Sequence, residues 1–359
     1  MKLHNGALSR LRPEGLQQFL ELEAEAIIAM TEKIYAMGGA AYEQFGASGR
    51  QNCREDLEFQ LEFLRSALEF GMLQPLVDYL RWLENTLEAR SLPSYHLART
   101  LDWLAAFFRE RMDSADGEIV AAALDAARRE LESTAAAPTT TPKPPEPWPE
   151  TTAFETALLQ GSQRGAMTII NALMDAGRNL VDIEMHVIQP ALYQIGEKWQ
   201  ANQVSVAQEH MATAIVQSVM TIALLRSSSP APLDRRVMLA CVEGNEHAIG
   251  LRMVADAFQL AGWDVQFLGP DVPTPSLVQQ VIESRPNLVG LSVSFPQQLR
   301  EVRNVIEQLS ERLGMTRPPV IIGGLAINRF SQMADISGAD ACSSNPRTAI
   351  DQAGRMVRT

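Results

Sequence analysis

The residues of this 359-residue chain best suited to chemistry gather in four short loops of its last third. The first is Glu243-Gly244-Asn245-Glu246-His247-Ala248-Ile249-Gly250. A loop imidazole can serve as a nitrogen donor to a metal or cofactor. A lone loop histidine is more often an ordinary surface residue, but His247 has company. Leu268-Gly269-x-Asp271-x-Pro273, Ser292-x-Ser294 and Gly323-Gly324 each follow an apolar run. Glycines let backbone approach a ligand closely. A second set is Trp199, nine intervening residues, then Glu209-His210. A third is Cys53-Arg54-Glu55-Asp56, a thiol close to a carboxylate that can accept N–H donors.

These groups act together only if elements bring them together. Val237–Cys241, Val265–Leu268, Leu288–Val293 and Pro319–Gly324 are short apolar runs. Helical segments 248–261, 275–284 and 297–313 separate them. The alternation predicts an α/β doubly wound, Rossmann-like domain with a parallel sheet. Ligands in such sheets lie outside the carboxyl ends of the strands. The first strand is predicted to end at Val242, so the four loops share that edge. Upstream, Phe154–Asn179, Asp182–Trp199 and Ser205–Leu225 predict a helical bundle. Residues 135–150 hold six prolines and predict a stiff, extended linker. Before it, Leu57, Leu61, Leu64 and Leu68 form one stripe of a helix. Glu14–Ile34, Leu76–Arg90, Leu92–Phe108 and Ala121–Leu131 are also helical in pattern. No strand pattern interrupts them, so the first domain is expected to be all-α. The expected domains are 1–134 all-α, 135–150 linker, 151–230 bundle and 231–359 α/β.

The loop set, with His247 and Gly250 as His-x-x-Gly, resembles the cobalamin-binding domain of methionine synthases, mutases and cobalamin photoreceptors. The resemblance implies that His247 is the lower ligand to cobalt. It replaces the dimethylbenzimidazole tail, which drops into a slot flanked by the serines after strand three, Ser292 and Ser294, and by Gly323 and Gly324. Asp271 belongs to the same cofactor edge. The family's usual carboxylate two positions before the histidine is Asn245 here. A carboxylate there accepts the imidazole N–H and raises ligand basicity. Asn245 is expected to accept the same bond without the charge, or Glu243 or Glu246 to help.

Trp-x9-Glu-His is similar to the signature of light-sensing cobalamin transcription regulators. It implies that Trp199 covers the upper face beside a 5′-deoxyadenosyl group, and that Glu209 and His210 line the same pocket. Those regulators carry a histidine next to the tryptophan that captures cobalt after photolysis. This chain has Gln200, so that residue cannot do so, and His210 or His186 would have to substitute.

Cys53-Arg54-Glu55-Asp56-Leu57, Pro75-Leu-Val-Asp-Tyr-Leu80 and Leu92-Pro-Ser-Tyr95 resemble the chromophore region of phycobiliproteins, over residues 50–105. The resemblance implies a globin-like fold that holds biliverdin or another bilin. Cys53 would form the thioether and Asp56 would bind the pyrrole N–H groups. The family's arginine position is Glu55, with Arg54 one place earlier. The alternatives are a structural helical dimerisation domain with a buried Cys53, and a haem pocket using His96. A helical bilin domain joined by a proline linker to a bundle and cobalamin domain is the layout of the photocobilins, the family that the whole chain resembles.

Composition narrows the remaining classes. A net charge of −12 argues against a nucleic-acid-binding face. Cys53, Cys241 and Cys342 offer no disulfide framework, which suits a reducing compartment. No apolar run has the length of a membrane span, and the N-terminus lacks a signal-peptide core. A cytoplasmic protein without a membrane or nucleic-acid partner is expected. No helix-turn-helix, kinase or cyclase signature appears. The expected function is sensory, not enzymatic: light breaks the Co–C bond of adenosylcobalamin, with a bilin as second chromophore. Output would pass through a homo-oligomer to a downstream signalling protein. The alternative is a corrinoid carrier for methyl transfer. A mutase-type subunit is a third class, and would need a barrel domain in trans.

Overall fold

Apolar residues at helical spacing build the first of the two compact units into which the chain divides, 1–138 and 139–359. The computed structural model describes residues 8–43, 46–92, 94, 96–133, 145–228 and 230–357. Pro93 and Tyr95 of the bilin-like pattern, and linker residues 135–144, lie outside the described residues.

The described part of the first unit is helical throughout: α1 (Pro13–Glu43), α2 (Gly46–Phe70), α3 (Gln74–Ala89), α4 (His96–Arg111) and α5 (Ser114–Glu132). The leucines at 57, 61, 64 and 68 are all buried along α2. Each contributes roughly 1.5–3 kcal/mol by leaving water. Gly71, at φ +75°, ends α2 in a left-handed conformation that a side chain would strain. Pro75 sits in the first turn of α3, where its missing N–H costs nothing.

The second unit opens with a bundle: α6 (Thr151–Leu159), α7 (Gln163–Asp175), α8 (Leu180–Ile183), a π turn (Glu184–Ile188), α9 (Gln189–Gln200) and α10 (Val206–Arg226). Two features differ from the pattern expected of the sequence. The single helix expected over 154–179 is two, because Gly161 turns left-handed at φ +69° and the Ser162 hydroxyl accepts the N–H of Gly165 to start α7. The apolar spacing runs on across this break, so periodicity does not register it. The helix expected over 182–199 contains the π turn, for which Pro190 supplies a reason. It has no N–H for the carbonyl of His186. That carbonyl instead accepts the Trp148 N–H at 3.0 Å and the Thr151 hydroxyl at 2.9 Å.

Then come β1 (Arg236–Val242), α11 (Ile249–Leu260), β2 (Asp264–Val272), α12 (Thr274–Ser284), β3 (Leu288–Ser292), α13 (Leu299–Leu313), β4 (Val320–Gly323), α14 (Leu325–Arg329), α15 (Gln332–Ser337), β5 (Ala341–Cys342) and α16 (Pro346–Met356). The strands pair in parallel in the order β2-β1-β3-β4-β5. β1 and β3 are buried almost throughout, as central parallel strands must be. β5 was not expected; two residues are too few to show a period. The strand order reverses between β1 and β3, and the crevice of a doubly wound sheet opens at that switch point.

α11 joins the sheet to the bundle. Met253 is part of the bundle core, and Ala257 packs with Val181 and Met185. Arg347 of α16 pairs with Asp182 of α8. Among the described residues no helix is long and apolar enough to cross a membrane.

Candidate functional site

The loop after β1 is held from within by Asn245, whose side chain is fully buried. Its Oδ1 accepts the backbone N–H of His247 at 3.1 Å, and its Nδ2 donates to the Ser292 carbonyl at 2.8 Å. Its own carbonyl accepts the Asp271 N–H at 3.0 Å. One residue thus ties the carboxyl ends of β1, β2 and β3. This departs from the expectation that Asn245 orients the imidazole. An amide two positions before a backbone N–H closes a local turn more readily than it reaches the ring. Glu243 is committed elsewhere too: its Oε2 accepts the Thr274 N–H at 3.2 Å, at the start of α12. Glu246 is exposed. Asp271, left-handed at φ +48°, accepts the Gly244 N–H at 2.7 Å.

His247 stands exposed on this edge. The edge of its ring meets Phe295, with centroids 5.4 Å apart and planes at 76°. Neither ring nitrogen has a hydrogen-bond partner among the described residues. Ser292 and Ser294 are buried at the end of β3. Burial pushes the neighbouring Cys241 thiol up to about 12, against an opposing hydrogen bond with Ser292, so this thiol is chemically quiet.

Gln298 belongs to the site and was missed. Its Oε1 accepts the N–H groups of Ser294 at 2.8 Å and Phe295 at 3.1 Å, and its Nε2 donates to the Gly244 carbonyl at 2.7 Å. The signal available was a glutamine three residues after Phe295, the spacing of a capping box.

The glycines divide into two kinds. Gly324 sits at φ +104°, and a Cβ there would lie 2.3 Å from the Val293 carbonyl oxygen. A Cβ on Gly323 would lie 2.8 Å from that of Ser343. These two glycines are already required by the protein's own backbone. Gly250 differs: nothing lies within 4 Å of its would-be Cβ, so the space is open.

The donor set suits a metal that brings its own ring of ligands. Among the described residues no group of three or more His, Cys, Asp or Glu could hold a metal ion. A single imidazole without a hydrogen-bond partner at the switch point could give one nitrogen to such a metal. Beyond the ends of β3 and β4, Gln297 Oε1 and Asn328 Oδ1 are buried acceptors without donors. Such orphans suit a ligand carrying N–H or O–H groups.

In the bundle, Trp199 is half-buried at the end of α9 and packs on the bundle core, as does Ile249, two residues after His247. Lys198 pairs with the buried Glu155 and pins this end of α9 to α6. Glu209 accepts from the Thr213 hydroxyl at 2.9 Å, and its carboxylate lies 3.6 Å from His210 Nε2. The His210 side chain is 75% exposed. His186 is engaged elsewhere: it stacks on Trp148 at 5.2 Å, and its Nδ1 lies 2.8 Å from the Glu146 carbonyl oxygen.

In the first unit, Cys53 and Asp56 lie one turn apart on α2, both largely removed from water. Burial, then the Asp56 charge, pushes the Cys53 thiol up to about 11. Burial, then Glu55, pushes Asp56 up to about 6, against Arg90. Tyr79 donates to the Asp56 carbonyl at 3.3 Å and stacks on Phe63 at 4.3 Å. Arg54 is exposed and His96 is buried at the start of α4.

Two families, each described as a B12 binding domain, match the chain: one over residues 235–350 and one over 151–224. The HTH-type transcriptional repressor CarA of Myxococcus xanthus is 29% identical over 160 residues, 44% of this chain and 52% of that protein. CarH of the same organism is 32% identical over 140 residues, 39% of this chain and 46% of that protein. The chain therefore spans about half the length of these repressors. Dimethylamine corrinoid protein 3 of Methanosarcina mazei is 33% identical over 116 residues, 32% of this chain and 68% of that protein.

Proposed function

Starting from a chain that belongs to the B12-binding family and binds cobalamin, we propose that it is a light sensor and not an enzyme, with adenosylcobalamin as pigment. Adenosylcobalamin, when bound, supplies a cobalt–carbon bond that visible light breaks. His247 is the residue for the lower cobalt position, since its ring nitrogens are unpartnered at the strand-order reversal. Asn245 and Gln298 hold that loop in place. Ser292, Ser294, Gly323 and Gly324 line the edge beside it, Asp271 braces the loop, and Gly250 leaves room.

The observation that carries the light-sensing reading is Trp199. It packs on the same apolar core as Ile249, so a tryptophan of the bundle and the loop bearing His247 belong to one packed body. Trp199 would shield bound cobalamin from water, with Glu209 and His210 beside it. Of the two bundle histidines, exposed His210 would be the one available to the pigment, because His186 is held at Glu146. The test is to load the protein with adenosylcobalamin in darkness and record absorbance before and after green light. A bound pigment whose spectrum does not respond to light would sink the proposal.

A bilin in the first unit is the second pigment. Asp56 is its anchor: a carboxyl held back from ionising by burial gains most from N–H donors. A Cys53 thiol pushed up to about 11 is a poor nucleophile, so the bilin is held without the thioether. Biliverdin should therefore bind, and should separate from the chain on denaturation.

Output passes to a protein partner through a change in oligomeric state, in keeping with a net charge of −12 that opposes DNA phosphates. A shift of duplex DNA in a gel by the full chain would count against this. The second reading, a corrinoid methyl carrier, is favoured by the match to two thirds of dimethylamine corrinoid protein 3. It predicts that methylcobalamin is held as well as adenosylcobalamin and that Trp199→Ala changes neither.

A further inference from the structure

Glu184 has no part in the site described so far, yet it is fully buried, in the π turn between α8 and α9. Such turns are frequent at functional positions. Both of its carboxyl oxygens lack a hydrogen-bond donor, and so does Asp256 Oδ2 on α11. Met185, the neighbour of Glu184, packs with Ala257, the neighbour of Asp256, so the two buried carboxyls share the joint between bundle and α/β domain. Asp256 Oδ1 accepts from Arg252 Nε at 2.6 Å, which favours the negative charge on Asp256 over that on Glu184, although burial pushes the Asp256 carboxyl up as well.

Two carboxylates cannot both stay ionised side by side in a dry interior. One proton between them removes the conflict and satisfies the orphaned oxygens. Arg252 neutralises Asp256, so the proton belongs on Glu184, whose O–H donates to Asp256. Other charges on the packed elements are engaged. Glu155 of α6 pairs with Lys198 of α9, Asp182 of α8 pairs with Arg347 of α16, and His186 turns out to the Glu146 carbonyl.

We infer that Glu184 carries a proton at neutral pH and that its hydrogen bond to Asp256 is a pH-sensitive latch between the π turn and α11. α11 begins two residues after His247, so the latch secures the helix next to the candidate cobalt loop. The electrostatics point the same way: burial, then the charge of Asp256, raises Glu184 well above the usual carboxyl range. A raised carboxyl stabilises the folded state at low pH and loses that contribution as pH rises through its folded value.

The test uses the full chain and two readouts. The first is the infrared C=O stretch of a protonated carboxylic acid at pH 7, taken as the difference between wild type and Glu184→Gln so that other carboxyls, Asp56 at about 6 among them, cancel. Wild type should show the band and Glu184→Gln should lack it. The second is hydrogen exchange of α11, corrected for intrinsic rates. In wild type the opening equilibrium should rise with pH, by up to about tenfold per unit, between the ordinary carboxyl range and the folded titration of Glu184 and level off above it, and in Glu184→Gln that rise should be absent. Absence of the band in wild type, its persistence in Glu184→Gln, or equal pH dependence of exchange in both would overturn the latch. If Glu184→Gln fails to fold by circular dichroism, Asp256→Asn decides. Removing that charge should move the band's titration to lower pH, and an unmoved titration refutes the pairing.

Discussion

Asn245 shows how much one buried amide can do at a cofactor edge. Its acceptor serves the His247 N–H and its donor serves the Ser292 carbonyl. Asn245→Ala leaves both unsatisfied and should cost about 2–6 kcal/mol in chemical denaturation, since each buried orphan costs about 1–3 kcal/mol. Asn245→Asp should also destabilise, because a carboxylate would face the Ser292 carbonyl where the amide now donates. His247→Ala removes the ring but keeps the loop, whose side-chain bonds run through Asn245, Asp271 and Gln298. The variant should fold like wild type and lose the spectrum of histidine-ligated cobalamin; an unchanged spectrum would show that another group ligates. Gly324→Ala should be damaging without touching any ligand. Its φ of +104° and a 2.3 Å approach to the Val293 oxygen leave a methyl no room, and unfolding measurements should show a loss of about 1–3 kcal/mol or more.

At the scale of elements, the π turn and the α2 stripe differ in kind. The α2 leucines make an ordinary buried face, and Leu64→Ala should cost about 2–5 kcal/mol in urea unfolding of the first unit. The π turn is held from two sides. Outside, the carbonyl freed by Pro190 takes donors from Trp148 and Thr151, and Arg178 lies over the Trp148 ring at 4.9 Å. Inside, Glu184 meets Asp256. Trp148→Ala should therefore loosen residues 184–188 in hydrogen exchange while the sheet strands stay protected.

At the scale of the molecule, the division at 138/139 falls in the proline-rich stretch. Bundle and sheet lie together in the second unit, tied by Met253, by the Val181–Met185–Ala257 cluster and by Arg347–Asp182. Residues 139–359 produced alone should fold and bind cobalamin through His247. Binding that required the first unit would show that the cofactor site extends beyond the second.

Much of this was legible because local chemistry repeats along the chain. Strand–helix alternation gave away the parallel sheet, and the apolar runs put the four loops at the carboxyl ends of its strands. Proline density marked the boundary between units, and the leucine stripe marked α2. Tertiary structure alone decided three things. The partner of Asn245 depends on β3 lying beside β1, because Ser292 is 47 positions away in the chain. The proton on Glu184 follows from packing α11 against the π turn, since burial and a neighbouring carboxyl set it and neither shows in a helical pattern. The raised thiol of Cys53 and the raised carboxyl of Asp56 depend on what covers α2. Sequence spacing names the groups on one face; only the fold fixes the solvent, charge and donors each of them meets.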